Sequence, residues 1–368
     1  MASQPLAKVG ILSIGDMGMG IAKLLIAHGF SVATNVTGRS QETADRAKAA
    51  SVEVLPSDAA LAAHCDVIFS VVPPRDAFAT AQRIVDALPE AQRAADRPLY
   101  FADMNAVSPS TCRTIAGLFT AAGTTPPVYL VDGCILGGPP HVLPAAATPP
   151  VVTPAAALGS GSGSGSGSND SSGSGDRAGG QTSSTISSDA SAPPEWYRPL
   201  MPTSGPHNLD AFPKLAATLN SRHISETIGG ASGLKMCFAA MSKGYSAIAI
   251  QAFTTAHQLG VLEDLQWAMG AVMPGRVKQT EGALTSMAPK AYRWVREMEE
   301  ISDTFSQEAG FTPDLFRGAA DVFRAVAEDT VLGQEKIGQR KRGRTAEDVA
   351  SAMAEGLAAK QKKQKQAE

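Results

Sequence analysis

The chain has 368 residues, 43% of them hydrophobic and 18% charged, with a formal net charge of −3. That length suits two domains with cores of their own, and so even a charge balance gives no bulk attraction for nucleic acid. The four cysteines stand far apart without metal-ligand spacing, and no uncharged apolar run approaches the ~18 residues of a membrane span. The opening MASQPLAKVG carries no signal-peptide-like apolar region, so a cytoplasmic protein without metal, membrane or nucleic-acid partners is expected.

From Lys8 onward, apolar runs at 9–14, 31–37, 66–72, 99–104 and 128–136 read as buried strands. Helical patterns at 18–28, 41–50, 58–64, 76–88 and 108–122 lie between them. Strands alternating with helices in this way predict an α/β, Rossmann-like, doubly wound sheet. Residues 141–194 are rich in Pro, Ala, Gly and Ser and almost free of large apolar side chains, which predicts a disordered insertion. The α/β pattern resumes with a strand and turn in EWYRPLMPTSGP, a helix at 209–220 and a short strand at 223–227. A long Ala-rich helix is expected at 232–257, then helices at 291–309, 314–326 and 345–359. The domain expectation is 1–230 for the sheet with its insertion, 231–360 for an all-α C-terminal domain, and 361–368 for a basic, frayed tail. RKRGR at 340–344 reads as a solvated helix end, and EMEEI at 297–301 as a solvated acidic face.

The stretch KVGILSIGDMGMG places Ser13, Ile14, Gly15, Asp16, Met17 and Gly18 where a dinucleotide turn has G-x-G-x-x-G. In such a turn the second glycine lets backbone approach a pyrophosphate, and the third lets helix and strand pack closely. Both are kept, and Ser13 stands in the first place. The second strand ends at TGRSQ, where an acidic residue would bind a ribose 2′-hydroxyl. Arg39 and Ser40 stand there instead, which favours a 2′-phosphate and hence NADP(H).

These motifs resemble the β-hydroxyacid dehydrogenase and 6-phosphogluconate dehydrogenase-like superfamily over nearly the whole chain apart from the insertion. Its turn is typically G-x-G-x-M-G, including the methionine found at Met17. CDVIFSVVPP (65–74) is similar to its fourth strand and the loop at the nicotinamide end, which implies cofactor contacts at Val72 and Pro73. ADMNAVSPST (102–111) is similar to its D-x-S-T-x-S-P segment, with Asn105 as a further cofactor-side candidate or a turn cap. VDGCILGGPP (131–140) resembles the substrate loop D-A-P-V-S-G-G and points to Leu136, Gly137 and Gly138. GGASGLKMCFAAMSKG (229–244) resembles the start of the catalytic helix and aligns Lys235 with the superfamily's lysine. KAYRWVREMEEI (290–301) is like the C-terminal domain of a branch of unknown substrate.

The departures fall on the substrate side. Leu136 replaces a serine, Ala239 an asparagine, and Ser242 the glutamate acid of true 6-phosphogluconate dehydrogenases. Ala239, Ser242 and Ser246 share the face of Lys235 on an ideal helix, a small and weakly polar surface for substrate. The resemblance implies an NADP-dependent oxidoreductase acting on a small hydroxy acid or related alcohol or carbonyl compound. Lys235 would serve as general acid/base in a homodimer built on the long helix. An imine reductase and a cofactor-binding protein without turnover stay open beside it. His257 is expected as a core or interface histidine, and Trp267, Trp294 and Tyr292 as core aromatics of the helical domain.

Overall fold

The computed structural model describes residues 6–144, 194–335 and 339–367. Apart from its two ends, the insertion expected at 141–194 lies outside the described residues. The first strands and helices are β1 (Val9–Leu12), α1 (Asp16–Ala27), β2 (Val32–Thr34), α2 (Gln41–Ala49), β3 (Glu53–Val54) and α3 (Asp58–His64). Next come β4 (Val67–Ser70), α4 (Ala77–Ala87), β5 (Leu99–Asp103), α5 (Pro109–Ala122) and β6 (Val128–Gly133). Two short strands, β7 (His141–Val142) and β8 (Trp196–Tyr197), pair only with each other. After them follow β9 (Met201–Ser204), α6 (Pro213–Thr218) and β10 (Ser221–Ser225).

Eight strands form one sheet in the order β10-β9-β6-β5-β4-β1-β2-β3. All its neighbours are parallel except β6 and β9, which run antiparallel with Asp132 opposite Ser204. Every residue of β1 and β4 is buried, as a parallel sheet covered on both faces requires. Their unbroken apolar runs are the reason these strands are legible. Phe69, Phe101 and Ile11 lie at or near complete burial in this layer. Each side chain of that size contributes about 1.5–3 kcal/mol on leaving water.

The C-terminal part is helical. α7 (Gly230–Ala239), a π turn (Ala240–Gly244) and α8 (Tyr245–Leu259) form one interrupted helix. α9 (Leu262–Val272), α10 (Pro274–Met287), α11 (Ala291–Ala309), α12 (Asp314–Asp329) and α13 (Ala346–Ala367) complete it. α9 and α10 escape the sequence pattern because each has few buried positions and Pro274 starts the second. α13 carries the basic tail as helix to Ala367, where a frayed end was expected. The stretch 340–344 is also tied down: Arg342 pairs with Asp348 at 2.6 Å, and Arg340 donates to the Thr285 carbonyl. Trp294 packs in the helical core, edge-on to Phe323 at 5.1 Å. Trp267 (75% exposed) and Tyr292 lie on the surface, where core positions were expected, and His257 is exposed as well.

The acidic run 297–301 is not a solvated face. Glu297 and Glu300 are buried, because each meets a partner far away in sequence. Glu300 accepts from the Ser108 N–H at 2.8 Å and the Thr111 hydroxyl at 2.9 Å, at the start of α5. Its other oxygen takes Arg296 at 2.6 Å. The helical part is thereby fastened to the sheet by a buried carboxylate, and removing one partner from such a pair typically costs about 3–5 kcal/mol.

Asp103, at the end of β5, has no such compensation. Its Oδ1 accepts from the Asn105 N–H at 2.9 Å, while Oδ2 is buried without a hydrogen-bond partner among the described residues. Burial pushes its carboxyl up from 3.8 to about 7; the Asn105 hydrogen bonds oppose the rise, and the charges of Asp132 and Glu300 add to it. The folded chain therefore holds this proton more tightly than the unfolded chain. That contribution to stability is fully present below about pH 4 and is lost as pH rises through about 7. Asp103→Asn, neutral at every pH, should be more stable than the parent at pH 8, by roughly 3–5 kcal/mol. In urea denaturation the difference should close toward pH 4. A difference that does not vary with pH would show that Asp103 does not titrate in this window.

Candidate active site

The site gathers at the C-terminal ends of β1, β4, β5 and β6, where ligands of doubly wound sheets are met. At β1 the chain turns through Ser13 and Ile14 into α1, whose N-cap is Gly15. No side chain caps that helix, so its first amides are left for an anion. A β-carbon on Gly18 would sit 2.0 Å from the Ser13 carbonyl oxygen, so only glycine allows α1 to pack so closely on the turn. A β-carbon on Gly15 would meet nothing within 4 Å. The open second glycine and the crowded third are the shape a dinucleotide cradle needs. Ile14 is buried, Met17 half-buried, and the Asp16 side chain lies outward.

Arg39, beyond β2, is exposed, and among the described residues its guanidinium has no partner. Ser40 caps α2, accepting from the Thr43 N–H at 3.4 Å. Arg46 was not singled out in the sequence. Its Nε donates to the Ile14 carbonyl at 2.8 Å, tying α2 to the turn. A basic residue one helical turn or two past a fingerprint arginine carries no sequence signal that separates it from a surface residue.

At β4 and β5 a single amide joins two strand ends. The Asn105 Oδ1 accepts from the Val72 N–H at 2.7 Å, and its Nδ2 donates to the Ser70 hydroxyl at 2.9 Å. Asn105 is buried with both polar groups engaged, so it fixes the half-buried loop at Val72 and Pro73.

At β6 the decisive group is Asp132, fully buried at the foot of α7. Its Oδ2 accepts from the N–H groups of Gly229 at 2.8 Å and Ala231 at 3.2 Å, and from the Ser204 hydroxyl at 2.5 Å. Its Oδ1 accepts from the Ser232 hydroxyl at 2.6 Å. An anion at a helix N-terminus is stabilised by the unpaired amides and by the helix dipole. Gly229 enters the helix at φ 103°, a conformation that favours glycine. One turn further, the half-buried Lys235 donates from Nζ to the Ile135 carbonyl at 2.6 Å. Helix and loop are thus joined twice within four residues of β6.

Of the other substrate-side candidates, Leu136 spends its backbone on Leu200, at 2.8 and 3.1 Å, and offers only its side chain. Gly137 and Gly138 are exposed beside it. Ala239 is buried in the helical core, Ser242 is exposed with its hydroxyl on the Phe238 carbonyl at 3.1 Å, and Ser246 is buried. The π turn alters the helical phase, so these three do not form the single face expected of an ideal helix. The Cys65 and Cys134 thiols are pushed up to about 12, chiefly by burial, which removes them as nucleophiles.

Residues 8–92 match the family described as "NADP oxidoreductase coenzyme F420-dependent", and residues 256–326 match a domain of unknown function, DUF1932. No curated protein matches the chain by sequence. Among solved structures, a conserved hypothetical protein from Sinorhizobium meliloti is 19% identical, with a TM-score of 0.57 over 96% of this chain and 98% of that one. A 3-hydroxyisobutyrate dehydrogenase from Mycobacterium tuberculosis, solved with L-serine, is 17% identical, with a TM-score of 0.55 over 95% and 98%. A 3-hydroxyisobutyrate dehydrogenase from Salmonella typhimurium, also 17% identical, gives 0.53 over 94% and 99%. The sheet and the helical part thus share the fold of the 3-hydroxyisobutyrate dehydrogenases, and residues 8–92 match an NADP oxidoreductase family model.

Proposed function

We propose that the protein is an NADP(H)-linked oxidoreductase that moves hydride between nicotinamide and a small hydroxy acid or related alcohol or carbonyl compound. The observation that carries this reading is the placement of Lys235. Its amino group is held beside the β6 loop by a helix whose start is pinned to the strand end. The turn from Ser13 to Gly18 fits a dinucleotide by its uncapped helix start and by the close approach at Gly18. NADP(H), when bound, supplies or accepts the hydride. The α1 amides would hold its pyrophosphate and Arg39 its 2′-phosphate, while Asn105 keeps the Val72–Pro73 loop in place. Lys235, with Nζ neutral, takes the carbinol proton in oxidation; protonated, it returns the proton in reduction. Leu136, Gly137 and Gly138 form the substrate wall, and the Leu136 side chain makes it more apolar than a serine would.

The assignment of NADP(H) rests on Arg39, which lies exposed beyond β2. Charge-assisted hydrogen bonds contribute about 1.5–3 kcal/mol, so calorimetry should show NADPH binding at least ~10-fold tighter than NADH. Arg39→Ala should narrow that gap. Equal affinity for the two cofactors in the parent protein would exclude the assignment.

A homodimer is part of this reading. Leu234, Phe238, Met241, Ile248 and Leu259 are large apolar side chains exposed along the helix of α7 and α8, with Trp267 exposed on α9. So much exposed apolar surface on one element suits burial against a second copy. Light scattering at micromolar concentration should give twice the chain mass, and Met241→Asp should shift it toward the monomer. A monomeric parent would remove this element of the proposal.

The proton-handling role is tested at Lys235 itself. A positioned acid or base contributes roughly 10²–10⁴-fold in rate, so Lys235→Ala should lower kcat by that much against a panel of hydroxy acids. NADPH affinity should be nearly unchanged. Lys235→Arg should not restore the rate, because a guanidinium stays protonated. Turnover by Lys235→Ala within a few-fold of the parent would overturn the assignment.

A further inference from the structure

Apolar packing does little to hold α2. Of its residues from Gln41 to Ala49 only Ala47 is buried, and an alanine removes little surface from water. The polar fastening is the half-buried Arg46, whose nitrogens each meet a different group. Nε donates to the Ile14 carbonyl at 2.8 Å, Nη1 to the Glu42 carboxylate at 2.8 Å, and Nη2 to the Thr43 hydroxyl at 3.1 Å. Bonds in separate directions fix the plane of a guanidinium, as they could not fix the point charge of an ammonium.

The bond to Ile14 also sets the next peptide. The Ile14–Gly15 bond is trans, and in a trans peptide the carbonyl and the following N–H point in opposite directions. With its carbonyl turned to α2, the unit presents the Gly15 N–H on the other side, where it has no partner among the described residues. That amide directly precedes the uncapped N–H groups of α1. An unpaired amide beside an uncapped helix start adds to the place for an anion, provided its direction is held.

On its other side Arg46 reaches the loop after β2. The Thr43 hydroxyl that accepts from Nη2 lies 3.1 Å from the Ser40 hydroxyl, and Ser40 follows Arg39 and caps α2. A continuous chain of hydrogen bonds through Ile14, Arg46, Thr43 and Ser40 thus joins the β1–α1 turn to the neighbour of Arg39. We propose that Arg46 is a positioning residue for the dinucleotide, which aims the Gly15 amide at the pyrophosphate and holds the Arg39 loop at a fixed span from it. The inference rests on the dinucleotide reading of the turn from Ser13 to Gly18. Arg39 distinguishes a 2′-phosphate from a 2′-hydroxyl, whereas Arg46 acts on the pyrophosphate place that NADPH and NADH share.

The tie is read first with no cofactor present. In the ¹⁵N-labelled full-length protein, Arg46→Met should shift the amide resonances of Gly15 and Ser40, at the two ends of the chain of bonds. The amides of β5 and β6 should stay in place, which shows that the sheet is intact. Arg46→Gln, shorter but still polar, is a second variant and should show the same two shifts. Gly15 and Ser40 amides that match the parent's would overturn the inference, whatever the protein binds.

Calorimetry then separates positioning from attraction by charge. With a charge-assisted bond gone, Arg46→Met should bind NADH roughly 10-fold more weakly, and NADPH at least as much more weakly. Arg39→Ala should leave NADH nearly unchanged. Lys48 is exposed on the same helix, and Lys48→Met, which removes the same charge without touching the turn, should bind both dinucleotides as the parent does. NADH held by Arg46→Met as tightly as by the parent, or weakened equally by Lys48→Met, would overturn the inference. A parent protein that binds neither dinucleotide would instead count against the proposed function, and the amide shifts would still decide whether Arg46 sets the turn.

Discussion

The carboxylate of Asp132 fixes the relation between the sheet and the long helix. It closes β6 and opens α7, accepting from Gly229, Ala231, Ser204 and Ser232. A charge buried in this way is tolerated because helix amides and hydroxyls replace the water it has lost. The same contacts set the height and rotation of the helix against the strand end. Lys235 inherits both, and its hydrogen bond to Ile135 completes a small ring of chain from Asp132 back to the same loop. Without the carboxylate, donors on four residues would lose their common acceptor and the lysine its fixed starting point. Glu300 does the equivalent for α5, so both helix starts at this junction are held by acidic side chains.

Much of this was legible in the sequence wherever the cause was local. β1 and β4 are buried on both faces, so their apolar runs are unbroken and easily read. At Gly18 the need for glycine is steric, since a β-carbon there would meet the Ser13 carbonyl oxygen. The acidic run at 297–301 failed for the opposite reason. Glu297 meets a lysine 54 positions away and Glu300 an amide 192 positions away, so nothing nearby in the chain marks either as buried. The same holds for Trp267 and Tyr292, whose exposure depends on which face of the bundle is left uncovered. The π turn was equally hidden: helix periodicity assumes a constant phase, and one extra residue inside a turn resets it.

The surroundings of Lys235 differ from the β1–α1 turn in how strictly geometry confines them. The turn is constrained by close contact, since the Ser13 carbonyl leaves no room for a side chain at Gly18. Around Lys235 the fixed elements are hydrogen bonds and charges, while the neighbouring surfaces at Leu136, Gly137 and Ser242 are partly or fully exposed. Exposed surface of this kind tolerates changes of residue without disturbing the turn between β1 and α1.

The antiparallel pairing of Leu136 with Leu200 has a consequence for how such a chain changes over time. Two backbone hydrogen bonds clamp the strand that leaves the sheet to the strand that returns. The path between them is closed at its base, and closing a longer excursion costs only a slowly growing entropy. Residues can therefore be gained or lost beyond the clamp without moving Asp132, Ile135 or the lysine that faces them. The few positions from Asp132 to Leu136 have no such freedom, because one residue more or less would carry the Ile135 carbonyl away from Lys235. Length can vary on one side of the clamp and is fixed by geometry on the other.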